Sequence, residues 1–183
     1  IQKKIPLAYL MRRAFFAGLE FYVDERVIIP RSPMAELIET SFEPYLDIME
    51  VNHVLDLCCG SGCIGLAMAA YFDFVKVDLV DLSLEALEVA NINRALYELE
   101  DRVEIMESNL FNNLKNKKYD LILCNPPYVD QKDFESMPEE FSHEPELALI
   151  SGKDGLDLTR KILSEAADYL TENGILILEV GNS

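Results

Sequence analysis

The segment Asp56-Leu57-Cys58-Cys59-Gly60-Ser61-Gly62-Cys63-Ile64-Gly65 constrains the fold of this chain more than any other. It follows a short apolar run, His53 to Cys58, and leads into a helical stretch, Ile64 to Phe72. Glycines at 60, 62 and 65 have the spacing of a strand–turn–helix loop that lets a ligand approach bare backbone. The alternation continues downstream. Val75 to Leu82 reads as a second strand, and Ser83 opens a helix with Glu85 in its first turn. Val103 to Glu107 is a third strand, and Tyr119 to Cys124 is a fourth that ends at Asn125-Pro126-Pro127-Tyr128. A long acidic loop runs to about Gly155. The next helix places Leu156, Thr159, Ile162, Leu163, Ala166 and Leu170 on one face and stops at Asn173-Gly174, before a fifth strand, Ile175 to Val180. Strands separated by helices predict an α/β fold with a doubly wound parallel sheet and ligands at the carboxyl ends of its strands.

The first fifty residues read differently. Phe15 to Val23 is aromatic and β-prone, Asp24-Glu25-Arg26 reads as a turn, and Val27-Ile28-Ile29 as a second short strand. Pro30-Arg31-Ser32-Pro33 then starts a helix through about Phe42. The expected organisation is a hairpin and helix over 1–50, the remnant of an amino-terminal region, leading into a ligand-binding domain over 51–183. The chain starts at Ile1 and ends at its fifth strand, so the expectation is a core cut at both ends.

Composition excludes several classes. Half the residues are hydrophobic, which rules out a disordered chain, and no apolar run is long enough for a membrane span. Ile1-Gln2-Lys3-Lys4 leads into Pro6 and then into Met11-Arg12-Arg13, so no secretory signal is expected. Four cysteines, Cys58, Cys59, Cys63 and Cys124, lie in or beside apolar segments and read as reduced thiols of a cytoplasmic protein. His53 and His143 stand at spacings no zinc motif uses, so no metal is expected. With 33 acidic and 16 basic residues the net charge is -17, which opposes a phosphate backbone and favours basic partners as well as plain solubility.

Two constellations carry chemistry. Asp81, at the end of the second strand, is placed to accept hydrogen bonds from both ribose hydroxyls of a nucleoside, so a nicotinamide cofactor and S-adenosylmethionine both fit the glycine loop. Asp56 separates them. A pyrophosphate would be repelled by a carboxylate entering the same loop, whereas S-adenosylmethionine has no phosphate and carries an amino group and a sulfonium, both cationic. The blander reading is that Asp56 caps the loop by bonding its backbone amides; the two roles can coexist, and neither favours a dinucleotide. The second constellation, Asn125-Pro126-Pro127-Tyr128, suits methylation of a planar NH2 group. The Asn125 side-chain oxygen and the Pro126 carbonyl can accept both N–H bonds, two prolines stiffen the turn, and Tyr128 can stack on the planar group. Positive charge growing on the nitrogen is stabilised by those acceptors without a dedicated base. The plain alternative is an ordinary strand-terminating turn.

Asp56 through Gly62 with Asp81 resembles the cofactor motifs of class I S-adenosylmethionine-dependent methyltransferases, which implies a Rossmann-like, mostly parallel sheet. Asn125 to Tyr128 is shared by amino-group methyltransferases that act on nucleobases or on protein glutamine. Pro6-Leu7-Ala8-Tyr9-Leu10, Phe21-Tyr22-Val23 and Val27 to Arg31 resemble the segment before the catalytic domain of the protein-(glutamine-N5) methyltransferases. His143 to Leu149, with Gly152 and Asp154-Gly155-Leu156, resembles that family's loop after the motif. Arg31-Ser32-Pro33-Met34-Ala35-Glu36-Leu37, with Cys58 and Cys63, is similar to the branch that modifies large-subunit ribosomal protein three; the release-factor branch carries an Arg-Pro-Glu-Thr-Glu type sequence there.

The resemblance implies S-adenosyl-L-methionine as cofactor and S-adenosyl-L-homocysteine as product. It assigns the cofactor to Asp56, Cys58, Gly60, Ser61, Gly62, Asp81, Leu82, Asn109, Leu110 and Asn125. It assigns catalysis to Asn125, Pro126 and Tyr128, and substrate binding to Asn125, Pro126, Pro127 and Tyr128 with Glu144 and Pro145. The implied substrate is a glutamine of a basic large-subunit ribosomal protein, with no direct nucleic-acid contact. Asn109 stands where Asp is common, keeping an acceptor without the charge, and Cys59 stands where a small hydroxyl residue is usual.

Competing readings are the same chemistry on a release factor, a nucleic-acid adenine methyltransferase, a nicotinamide-dependent oxidoreductase and a non-catalytic cofactor-binding module. Asp130, Asp133, Glu135, Glu139 and Glu140 against Lys132 in the loop after Tyr128 count against the nucleic-acid enzyme. Asp56 and the lack of an evident proton donor count against the oxidoreductase.

Overall fold

The computed structural model describes residues 4–181. A short helix α1 (Leu7–Met11) precedes a hairpin, β1 (Ala14–Phe16) and β2 (Leu19–Phe21), and helix α2 (Met34–Glu39). Then β3 (His53–Leu57), α3 (Cys63–Tyr71), β4 (Lys76–Asp81), α4 (Leu84–Leu96), β5 (Val103–Glu107), β6 (Tyr119–Cys124), α5 (Gln131–Ser136), α6 (Asp157–Glu165) and β7 (Leu170–Leu178) follow. The last five strands form one parallel sheet in the order β5-β4-β3-β6-β7, the expected α/β fold.

The apolar runs of the central strands follow from burial on both faces. Side chains alternate across a strand, so Val54, Val77, Leu79, Leu121 and Leu123 meet Leu66 and Met68 of α3, Ile38 of α2 and Phe21 of the hairpin on one side. Leu55, Leu57, Val80 and Ile122 meet Phe111, Leu114 and Ile162 on the other. Hairpin, α2 and α3 thus share one core. Tyr9, Val23 and Val27 pack with Ala86 and Val89, fastening the amino-terminal segment to α4.

The hairpin differs from expectation. Its turn is Ala17-Gly18, both with positive φ (45° and 68°), which is the two-residue geometry that matches strand twist. Asp24 to Arg26 is instead a charged knot, in which Asp24 accepts from Arg26 and from the Tyr22 hydroxyl. Val27-Ile28-Ile29 is not a strand, because the Ile29 amide donates to the Glu144 carboxylate rather than to a ladder. Helix α2 ends at Glu39 rather than near Phe42. The acidic loop holds α5, whose N-terminus is capped by Asp130, and two 3-10 turns. The helix α6 stops at Glu165, and β7 starts at Leu170, earlier than the Asn173-Gly174 boundary. Leu170 pairs with Tyr119 and Ile175 with Leu121, so five steps on one strand oppose two on the other, and the extra chain bulges out. At Gly174 a Cβ would lie 2.7 Å from the Tyr119 carbonyl oxygen, which is why the bulge carries glycine there.

Candidate active site

The strand order turns back between β3 and β6, and a crevice opens at the carboxyl ends there. It holds a cleft of about 770 Å³, open solvent at its mouth included. Leu57, Cys58 and Gly60 form part of it below the end of β3, and Asp81, Leu82 and Ser83 come from the end of β4. Ser108, Asn109 and Leu110 follow β5, Asn125 and Pro127 follow β6, and Pro145 and Leu147 come from the loop beyond. Four of the five parallel strands, β3 to β6, thus deliver residues at or after their ends to one place.

The three glycines do different jobs. Gly60 faces open space, with φ at +54°, and its amide donates to Asp81 Oδ2 at 2.9 Å. Gly62 caps α3 at φ +77° against Leu79, Leu66 and Ala90. At Gly65 a Cβ would sit 2.3 Å from Leu79 Cδ2 and 2.9 Å from both Asp56 Cβ and Val77 Cγ1, so this glycine seats α3 on the sheet. Ser61 is buried, and its carbonyl accepts from Asn93 Nδ2 at 2.9 Å. Of the loop residues expected to hold a cofactor, Cys58 and Gly60 line the cleft, while Ser61 and Gly62 are turned into the packing around it.

Asp56 is fully buried. Its Oδ2 accepts from the Gly65 amide at 2.8 Å, tying β3 to α3, and its Oδ1 has no partner among the described residues. Burial, opposed by the Gly65 bond and aided by the Asp81 charge, pushes its carboxyl up to about 7. The capping role is therefore present. Asp81 keeps its side chain at the cleft wall, and its oxygens accept from the Gly60 and Ser83 amides, each at 2.9 Å. Burial raises its carboxyl against those bonds. Each Asp81 oxygen still has a lone pair for a ligand hydroxyl.

A second cleft, about 430 Å³ with its mouth, lies beside the first and is lined by Arg31, Pro126, Tyr128, Met137, Phe141 and Leu149. Ile28, Asn125 and Ala148 belong to both clefts. The Asn125 side chain makes no hydrogen bond among the described residues, so its carboxamide is unengaged where the two spaces meet. Pro126 faces the second cleft and Pro127 the first. Tyr128 does not stand free: its hydroxyl donates to Glu179 Oε1 at 2.9 Å, and burial followed by Glu179 pushes the phenol up to about 12. Glu144 is buried and spends both carboxylate oxygens on Arg31, whereas Pro145 lies on the first cleft.

Ile28 and Glu179 were not among the expected site residues. Ile28 was concealed in an apolar run that reads as a strand. Glu179 carried a usable signal: it directly follows β7, and the carboxyl ends of parallel strands rim the crevice.

Residues 40–152 match the model of the methyltransferase small domain. Two curated relatives are described as ribosomal protein uL3 glutamine methyltransferase. The one from Francisella tularensis is 56% identical over 97% of this chain and 57% of its own length. That from Xanthomonas campestris is 50% identical over 100% of this chain and 59% of its own length. The chain thus spans a little over half the length of these relatives. A methyltransferase structure from Pyrococcus furiosus superposes with a TM-score of 0.62 at 19% identity, covering 91% of this chain and 71% of that one, a likeness of fold.

Proposed function

The chain belongs to the methyltransferase small domain family, and on that premise we propose that it is the catalytic core for transfer of a methyl group from S-adenosylmethionine to the side-chain amide nitrogen of a glutamine in a large-subunit ribosomal protein. The observation that carries the reading is Asn125, whose unengaged carboxamide stands in the wall shared by the two clefts. One cleft suits the cofactor and the other an acceptor side chain, and only such a shared residue can touch both.

The residues present fit S-adenosylmethionine. Asp81 offers acceptors for two ribose hydroxyls, Leu82 and Leu110 offer apolar faces for a base, and Gly60 leaves the backbone bare. Asp56 stays buried behind the loop as its cap, with the Gly65 amide on Oδ2. When bound, the cofactor supplies a methyl group made electrophilic by its sulfonium. The chain's own part is to hold the amide. Asn125 Oδ1 and the Pro126 carbonyl accept its two N–H bonds, which aims the nitrogen at the first cleft and removes rotational freedom. The same acceptors stabilise the charge that develops on nitrogen, and its surplus proton leaves to solvent. Ile28, Met137 and Phe141 give the second cleft walls for an aliphatic stem.

The names of the two curated relatives support the substrate class. So does the loop after Asn125, where Asp133, Glu135, Glu140 and Glu146 have no ion pair among the described residues and suit a basic partner. The test uses full-length protein and radiolabelled S-adenosylmethionine, with separated ribosomal proteins, a release factor and rRNA as acceptors. The expected result is label on a glutamine of one large-subunit protein, lost in Asn125→Ala. Label on the release factor alone, or on rRNA, would refute the reading.

A further inference from the structure

The consecutive residues Arg31 and Ser32 bind two carboxylates from different parts of the chain, Glu144 and Glu179. Arg31 makes a two-pronged pair with Glu144, Nη1 to Oε1 and Nη2 to Oε2, both at 2.8 Å, and lies over the Phe141 ring at 5.0 Å. The Glu144 side chain is 3% exposed and also accepts from the Ile29 amide, so this end of the pair is desolvated and fully used. Ser32 is buried and donates its hydroxyl to Glu179 Oε2 at 2.6 Å. Glu179 takes the Tyr128 hydroxyl on its other oxygen at 2.9 Å, and its amide donates to the Cys124 carbonyl at 2.9 Å.

The turn Asn125 to Tyr128 is therefore held at Tyr128 by Glu179, and the loop that follows it is held by Glu144. Beyond the turn, Glu144 anchors the loop that closes the second cleft. Beside it, Glu179 locks the Tyr128 ring, while Val129 exchanges backbone bonds with Leu149 and Ser151 at 2.8 and 3.0 Å. Both carboxylates depend on one dipeptide that lies more than ninety residues earlier, and Ser32 lines neither cleft. We propose that Arg31-Ser32 is a positioning element for methyl transfer: it fixes Tyr128 through Glu179 and the acceptor cleft through Glu144, without touching the cofactor. A placement error of about 1 Å at a reacting centre costs up to about a hundredfold in rate, so a hydroxyl this far from the nitrogen has leverage on kcat.

The inference rests on the methyl-transfer reading of the site, and its test separates the two. In full-length protein, Ser32→Ala is expected to lower kcat about tenfold or more, with S-adenosylhomocysteine affinity by calorimetry within about twofold of the parent. Glu179→Gln, which can keep both contacts, should lose less than Glu179→Ala. Ser32→Ala with Tyr128→Phe should lose no more than the worse single change, because both act through Glu179. Amide hydrogen exchange at Val129 should quicken about tenfold in Ser32→Ala while the Gly60–Gly65 loop is unchanged. If the parent transfers no methyl group, the functional reading fails and the inference that rests on it falls too; quickened Val129 exchange would then show only that Ser32 holds the turn. An active parent matched by Ser32→Ala in both kcat and Val129 exchange would overturn the inference, and so would losses that multiply in the double variant.

Discussion

Replacing Gly65 by alanine adds a single methyl group at the seat of α3, and the surroundings fix what that must do. The new Cβ would lie 2.3 Å from Leu79 Cδ2 and 2.9 Å from Asp56 Cβ and Val77 Cγ1. Leu79 can swing its tip, but Asp56 is met at its Cβ and Val77 at a γ-methyl, both on strands of a five-stranded sheet. Ordinary contact needs about 3.4 Å or more, so α3 must still retreat by roughly 0.5 Å if the strands stay put. The Gly65 amide, 2.8 Å from Asp56 Oδ2, is then drawn to the long edge of hydrogen-bond range. Overpacking costs about 1–3 kcal/mol, and the weakening of the bond to a carboxylate, about 1 kcal/mol, is offset by the better helix propensity of alanine, about 1 kcal/mol. The net is a loss of about 1–3 kcal/mol, or about 2–12 °C in Tm for a domain of this size. Thermal unfolding followed by circular dichroism measures it. Gly60→Ala is the control: it meets nothing within 4 Å and faces only its positive φ, about 1–2 kcal/mol. A Gly65→Ala protein that melts at or above the parent temperature would refute the claim that this glycine exists for packing.

Two further outcomes are expected. Asp56 is raised from about 3.8 to about 7 in the fold, so its contribution to stability is complete below about pH 4 and is lost as pH rises through 7. Urea titrations at several pH values should show the parent losing stability relative to Asp56→Asn over that window, and a constant difference would sink the assignment. Asn93, fully buried on α4, accepts from the Tyr22 amide at 2.7 Å and donates to the Tyr22 and Ser61 carbonyls at 3.0 and 2.9 Å. Asn93→Ala strands three backbone groups at about 1–3 kcal/mol each, so Tm and S-adenosylhomocysteine affinity should fall together; a Tm within about 2 °C of the parent would count against that knot.

The central strands were legible in the sequence because they are largely buried on both faces and read as mostly apolar runs, whereas the edge strand β5 is part-exposed and mixes apolar with acidic residues. Val103–Glu107 and Tyr119–Cys124 match the expected bounds to the residue. The hairpin was misplaced because Gly18 lies inside an aromatic run, where composition says strand and only a positive φ says turn. The boundary before β7 shifted for a tertiary reason: Leu170 pairs with Tyr119 before the bulge, and nothing in the local pattern announces a partner fifty-one residues away. The site divides in the same way. Gly60, Asp81 and Asn125 stand at or just after strand ends and were read from that rule, whereas Asn109 came only from the family resemblance; all four line the crevice. The chain from Ser32 through Glu179 to Tyr128 links residues from three distant stretches, so its chemistry is invisible until they are packed together.

That packing also changes what the acidity means. A charge of -17 suggests a uniformly negative surface, yet many of the carboxylates near the crevice are occupied inside the protein. Asp24 is matched by Arg26, Glu144 by Arg31 and Glu139 by Lys4. Asp56, Asp81 and Asp130 accept from backbone amides at the starts of turns and helices. Asp120 receives the Asn52 and His53 amides and the Thr171 hydroxyl at the other end of the sheet. These groups are acceptors first, chosen because a loop or helix end needs a negative partner, and they would be there whatever the protein met. On the proposed reading, the carboxylates free to meet a basic partner are the remainder by the second cleft, on and after α5. Neutralising them, unlike changing the rest, should alter encounter with a basic substrate and leave the fold as it is.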